Sequence, residues 1–239
     1  MKNKLSLNAD VGEGSKNDAA LMPYLTRCSI ACGGHAGDRQ SIDQTLELAT
    51  KHQVKVGAHP SYPDQENFGR SALNISQEML MESLAAQIQL MKDCCQQKGV
   101  EMDHIKPHGR FYNDLHFDKE LANSWLNLLE QTFEQPVEIL VAPHSAIHQE
   151  AQARNYPYWV EVFADRNYQD DGSLVPRKDA FSLITDQEVF KKRLDELADK
   201  AQITTINGKK LSLQFDTLCV HSDSDAIVEN LQFALSDEQ

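Results

Sequence analysis

Short apolar, β-prone runs alternate with longer segments of helical periodicity along most of this chain. The runs occupy residues 4–10, 27–33, 54–59, 104–107, 137–143, 159–165 and 218–221, each too short for a helix and bounded by polar, Gly or Pro residues. Between the second and third, residues 38–52 place Ile42, Leu46 and Ala49 on one face, which predicts a helix with Asp38 or Ser41 as its N-cap. Residues 75–98 carry Met79, Leu84, Ile88 and Met91 toward one side and run into Gly99, a residue suited to the left-handed turn that ends a helix. Residues 119–133 and 187–200 are helical by propensity, and 223–235 close the chain with an amphipathic pattern. Residues 203–214 break the alternation, because Asn207-Gly208 between β-prone residues predicts a hairpin inserted before the last strand.

About seven strands alternating with helices predict a parallel sheet. The length of 239 residues matches a single TIM-barrel-related β/α barrel over residues 1–239, and 41% hydrophobic residues can fill its core. No repeat, low-complexity tract or linker divides the chain. With 36 acidic against 23 basic residues the formal charge is −13, which opposes contact with nucleic-acid phosphates and anionic membranes. Neither the first residues nor any later window has the apolar run of a signal peptide or a membrane span, so a cytoplasmic protein is expected. Five cysteines, with Cys94 and Cys95 adjacent, read as reduced thiols rather than a disulfide framework.

The candidate chemistry gathers where the strands end, the rim on which β/α barrels build active sites. Asn8, Asp10 and Glu13 follow the first run, His35 and Asp38 the second, and His59 the third. Lys106 and His108 end the fourth, His144 the fifth, Asp165 and Arg166 the sixth, and His221 with Asp223 the seventh. A single polar residue after a strand is commonly a turn former or helix cap. Histidines at several such ends are not required by turns, and imidazole suits proton transfer near neutral pH. Asp38 serves equally as N-cap or acid, and His144 stands where a helix would start. Cys28 and Cys32 lack a second metal-binding pair and read as buried packing, as do Cys94 and Cys95. His52, His104, His116 and His148 read as solvated or structural.

Several motifs in order resemble the 5-oxoprolinase A-subunit (LamB/YcsF-like) family. They are Asn8-Ala9-Asp10-Val11-Gly12-Glu13, Ile30-Ala31-Cys32-Gly33-Gly34-His35-Ala36-Gly37-Asp38, Gly57-Ala58-His59-Pro60, Phe68-Gly69-Arg70 and Lys106-Pro107-His108-Gly109. Phe163-Ala164-Asp165-Arg166-Asn167-Tyr168, Asp171-Gly172, Leu174-Val175-Pro176-Arg177 and Cys219-Val220-His221-Ser222-Asp223 continue the series. The chain departs from the family pattern at Gly34, at Ser71, at Arg110-Phe111 and at Ser222, while the ionisable positions are kept. The resemblance implies a barrel of the glycoside hydrolase/deacetylase-like kind and an ATP-dependent opening of 5-oxoproline to glutamate with partner subunits. No G-x-x-x-x-G-K-[ST] phosphate loop occurs in the chain, in keeping with ATP handled by a partner.

Such a reaction needs a positioned water, a base, a cradle for the oxyanion and an acid for nitrogen. Asp10 is assigned as the base or its orienting carboxylate, with Glu13 a second candidate, and His59 and His108 as the proton-transfer pair. His35 joins this catalytic set. Lys106 and Arg166 would stabilise negative charge, Arg70 would grip a carboxylate, and Asp165 would orient a His or Arg. Asn8 and His221 are assigned to substrate binding. Asp10, His35, His59 and His108 also admit a divalent-metal reading, as in deacetylases of similar barrel fold. Two rival functions stay open, a metal-dependent amide hydrolase acting alone and a non-catalytic subunit that holds a metabolite or partner.

Overall fold

The computed structural model describes residues 5–224 and 226–235. The β-prone runs pair in chain order as β1 (Leu7–Val11), β2 (Arg27–Ala31), β3 (Lys55–His59), β4 (Met102–Ile105), β5 (Glu138–Val141) and β6 (Tyr158–Phe163). A separate antiparallel hairpin, β7 (Gln202–Thr204) and β8 (Lys210–Ser212), then precedes β9 (Thr217–His221). The last strand closes the sheet by pairing in parallel with both β1 and β6, setting Asp10 opposite His221 and Phe163 opposite Cys219. The result is a closed seven-stranded parallel barrel in the order β1-β2-β3-β4-β5-β6-β9.

Helices wrap the outside. A short α1 (Asp18–Leu21) precedes α2 (Arg39–Lys51), α3 (Gln77–Lys98), α4 (Gly109–Phe117), α5 (Lys119–Thr132), α6 (Ala146–Arg154), α7 (Gln187–Lys200) and α8 (Ala226–Leu235). Ile42, Leu46 and Ala49 of α2 are buried against the barrel, as their spacing requires. On α3 the buried stripe runs through Leu80, Leu84, Ile88 and Met91, each stabilising the fold by about 1.5–3 kcal/mol. Met79 was expected on that stripe but is 59% exposed, because it sits five residues before Leu84 and so turns to the far side of the helix. Gly99 closes α3 in the left-handed conformation, φ 65°.

The expected strands are all present, with shifted ends. The first was expected from Lys4, which lies outside the described residues, and the fourth starts two residues earlier than its apolar run because Met102 already pairs with β3. Three helices were not anticipated. α1 has four residues, α4 has no side-chain N-cap bond, and α6 buries only Ile147 and Ala151, so none carries a long amphipathic signal. The closing helix was expected from Asp223, whereas α8 begins at Ala226, with residue 225 outside the description. No helix of the described residues is long and apolar enough to cross a membrane.

Candidate active site

The C-terminal ends of the strands surround a cavity of about 370 Å³, and Asp10, Glu13, His59, Lys106, His108 and His221 all face it. Parallel pairing in register brings these ends to one level, so residues scattered over two hundred positions meet through the topology alone. Asn8, assigned to the substrate, does not reach the cavity. It lies two residues before Asp10 on the same strand face, deeper in the barrel, where Nδ2 donates to Thr217 Oγ1 at 3.0 Å.

One wall of the cavity is an imidazole cluster. His59 Nε2 and His108 Nδ1 are 3.0 Å apart, and Glu13 Oε1 lies 3.2 Å from His108 Nδ1 and 2.8 Å from His35 Nε2. The rings of His35 and His108 stack with centroids 3.6 Å apart and 4° between planes. His35 is held from behind, since Nδ1 lies 3.0 Å from Ser61 Oγ, and it does not line the cavity. Burial drives the His59 imidazole down to about 3 in spite of the Asp10 carboxylate, and it pushes His35 down as well. Glu13 and the three histidines form the group able to hold a metal among the described residues. Glu13 joins the histidines in the place expected for Asp10, whose carboxylate bridges the two clusters, Oδ2 lying 3.4 Å from His59 Nε2 and Oδ1 2.9 Å from Lys106 Nζ.

Adjoining the imidazoles is an ion cluster. Lys106 Nζ, fully buried, lies 2.9 Å from Asp10 Oδ1 and 3.1 Å from Glu161 Oε2. Burial opposes the charge on Lys106, but Asp10 and Glu161 outweigh it and hold its pKa well above the ordinary value. Asp10 feels the reverse: burial favours its neutral form, yet His59 and Lys106 bring it to about 2. Beside this pair, Asp165 accepts from the His221 backbone N–H at 2.8 Å and meets His221 Nδ1 at 3.0 Å. Burial again works against ionisation of Asp165, and His221 more than offsets it. With Nδ1 engaged by Asp165, Nε2 is the ring nitrogen left for a further partner.

The arginines divide. Arg166 was assigned to anion stabilisation, but its Nη2 donates to the Val175 carbonyl at 2.7 Å and its Nε to the Ser182 carbonyl at 3.3 Å. It pins the segment that carries Leu174, Val175 and Pro176 over the cavity. The loop expected over the rim from Asn167 to Asp171 instead turns away, with Asp170 bonded to Thr205 and Asn207 of the hairpin. Arg70 and Arg177 sit at the mouth, both paired with Asp223 and both partly exposed.

Several residues fall outside the site. Asp38 is an N-cap, accepting from Ser41 N at 2.8 Å. His144 is exposed with φ 60°, and His104 is buried in β4 between Ser29 and Asp103. All five cysteines are free and buried. Glu161, Ser61, Gln87 and Tyr112 were missed. Glu161 carried a usable signal, a carboxylate in the middle of a strand whose neighbours are apolar, where a doubly covered parallel strand tolerates charge only with a partner. Ser61 and Gln87 had none, being one loop residue and one helix residue. Gly34 explains their contact, because a Cβ there would lie 2.4 Å from both Gln87 Oε1 and Ser61 Oγ. The departure at Gly34 is the space into which Gln87 reaches to clamp the Ser61 backbone at 2.9 Å on both sides.

Comparison with known proteins agrees with this architecture. The LamB/YcsF family model matches residues 5–236. Over 231 residues the chain is 36% identical to the 5-oxoprolinase A-subunit of Campylobacter jejuni subsp. jejuni serotype O:23/36 (strain 81-176), covering 95% of this chain and 90% of that one. It is 34% identical over 232 residues to the 5-oxoprolinase A-subunit of Haemophilus influenzae (strain PittEE), covering 97% and 93%. The crystal structure of a lactam utilization protein from Thermus thermophilus superposes with a TM-score of 0.89 at 29% identity, over 99% of this chain and 97% of that one.

Proposed function

The chain belongs to the LamB/YcsF family, and on that premise we propose that it is the barrel subunit of a multi-subunit 5-oxoprolinase. In this reading the barrel mouth opens the lactam of 5-oxoproline to L-glutamate, and ATP is handled through partner subunits. The observation that carries it is the cavity in which a carboxylate-oriented imidazole, His221, and a buried ammonium, Lys106, face the same small space.

An unstrained lactam resists water because amide resonance stabilises its carbonyl and its nitrogen leaves poorly. Phosphorylation of the amide oxygen removes that resonance. Water then adds to the ring carbon as His221 Nε2 takes its proton, the C–N bond breaks, and nitrogen receives a proton from the same imidazolium. The resulting acyl phosphate is hydrolysed by a second water to glutamate and phosphate. Lys106 supplies positive charge for the developing oxyanion, worth most in a buried site, while Asp10 and Glu161 keep the ammonium in place. Arg70 and Arg177 stand at the mouth for the substrate carboxylate or the phosphate. The unbroken burial of five free cysteines fits a reducing cytoplasm.

The test is glutamate formation from 5-oxoproline by the full chain, alone and with its partner subunits, with and without ATP. Turnover only in the complete, ATP-supplied mixture is expected. ATP-independent hydrolysis of N-acyl substrates by the chain alone would replace this reading with that of a self-sufficient amide hydrolase.

A further inference from the structure

Counting protons around the imidazole cluster shows that it is short of them. His59 Nδ1 lies 2.7 Å from the Lys106 carbonyl and His108 Nε2 lies 3.0 Å from the Phe68 carbonyl. A carbonyl only accepts, so both nitrogens carry their ring's hydrogen. Ser61 Oγ donates to the Tyr62 carbonyl at 2.8 Å, so toward His35 Nδ1 it accepts, and that nitrogen too carries hydrogen. In the neutral rings the nitrogens left bare are His35 Nε2, His59 Nε2 and His108 Nδ1. These converge with Glu13 Oε1, all four atoms within 4.8 Å of one another. Four acceptor atoms crowd together here, with a fifth, Asp10 Oδ2, 3.4 Å from His59 Nε2.

Two added protons or one divalent cation would supply the same charge to this point. The protons would have to sit on rings that are almost fully buried, two of them stacked face to face. A cation asks less: each ring already donates its second N–H to a carbonyl or hydroxyl that fixes tautomer and orientation, as metal-binding histidines do, and a turn of one ring out of the parallel His35–His108 stack aims both lone pairs at one ion. The spacing around the carboxylate agrees as well, within a group whose atoms span up to 4.8 Å. Bonds of about 2.0–2.1 Å to a tetrahedral ion separate ligand atoms by about 3.3 Å, and the measured separations to Glu13 Oε1 are 2.8, 3.2 and 3.6 Å. Three imidazoles with one carboxylate favour zinc and its neighbours over magnesium or calcium.

We propose that Glu13, His35, His59 and His108 bind one divalent first-row transition ion of the zinc class in the cavity wall. Glu13 and His108 face the cavity while His35 lies behind them, so the ion would be reached from the mouth. The inference stands independently of the ring-opening reading.

The probe is zinc chloride titrated calorimetrically into the chelator-stripped full chain, with cobalt(II) as a spectroscopic stand-in. One ion per chain is expected, with a Kd of order micromolar or tighter and the visible absorption of tetrahedral cobalt. Glu13→Gln, which preserves side-chain shape, and His108→Ala should each weaken binding by about 100-fold or more, with far-ultraviolet circular dichroism unchanged. His52→Ala, remote from the cluster, should leave it intact. Absence of saturable one-to-one binding, or binding that survives Glu13→Gln, would overturn the proposal. Because the readout is binding, a complex that turns over 5-oxoproline while its chain ignores zinc would sink this inference alone.

Discussion

Two clusters of buried charge cap the barrel, one at each end, and they differ in how completely they are paired. At the strand N-terminal end, Arg27 Nη1 reaches Asp103 at 2.6 Å and Glu138 at 2.9 Å, while its guanidinium lies 3.5 Å over the Trp159 ring. Lys55 holds the other oxygen of Asp103 at 2.6 Å. At the mouth, Lys106 is as buried as Arg27, yet beside it imidazole nitrogens and carboxylates crowd together and open onto a cavity. Burial and charge are common to both ends. The incomplete pairing, and the space beside it, distinguish the end at which we propose the chemistry takes place.

The strongest way to break this contrast is His221→Ala. Turnover of the assembled enzyme should fall by about 10²–10⁴-fold, the usual weight of a positioned proton-transfer group, with the thermal midpoint close to wild type. The mirror experiment is Arg27→Ala at the floor, which leaves carboxylates facing a partly buried hole. A loss of about 2–3 kcal/mol in urea unfolding is expected, less than the about 3–5 of a fully buried pair because Glu138 keeps some solvent, with turnover per folded molecule unchanged.

Gly34→Ala sharpens the comparison by disturbing the support behind the mouth. The new methyl would displace Gln87 or Ser61, and an overpacking cost of about 1–3 kcal/mol should accompany a lower kcat as His35 shifts. The smallest effect concerns pH at the floor. Burial favours neutral Asp103, but hydrogen bonds from His104 and Lys55 and the charge of Arg27 hold it well below the usual carboxylate range. Its stabilising contribution is therefore complete above the ordinary carboxylate pKa of about 3.9 and is lost as pH falls through the depressed folded value. The stability gap between wild type and Asp103→Asn should be full at pH 7 and close in strong acid. A gap that widened there would reverse the sign.

The same contrast explains what could be read before folding. Strand runs such as those ending at His59 and His221 were legible because parallel strands are short and apolar, and because polar residues accumulate at their ends. The barrel followed from their number and from the family motifs. Which of those polar ends point inward was not legible, since pairing partners lie a hundred or more residues apart. Asp10 was therefore grouped with the histidines alone, when its carboxylate lies between His59 and Lys106. Arg166 does line the cavity, but nothing local reveals that the Val175 and Ser182 carbonyls take up its Nη2 and Nε. Asn8 fails for a simpler reason: alternation along β1 puts it on the correct face but one layer too deep.

The claim that the mouth performs proton transfer through an oriented His221 is tested most directly by Asp165→Asn in the assembled enzyme. Asparagine can still accept the His221 backbone N–H, so the fold should hold, but it no longer stabilises the tautomer that leaves Nε2 free. We predict a fall in ATP-dependent glutamate formation of at least about 100-fold with an unchanged unfolding midpoint. Wild-type turnover in that variant would contradict the account.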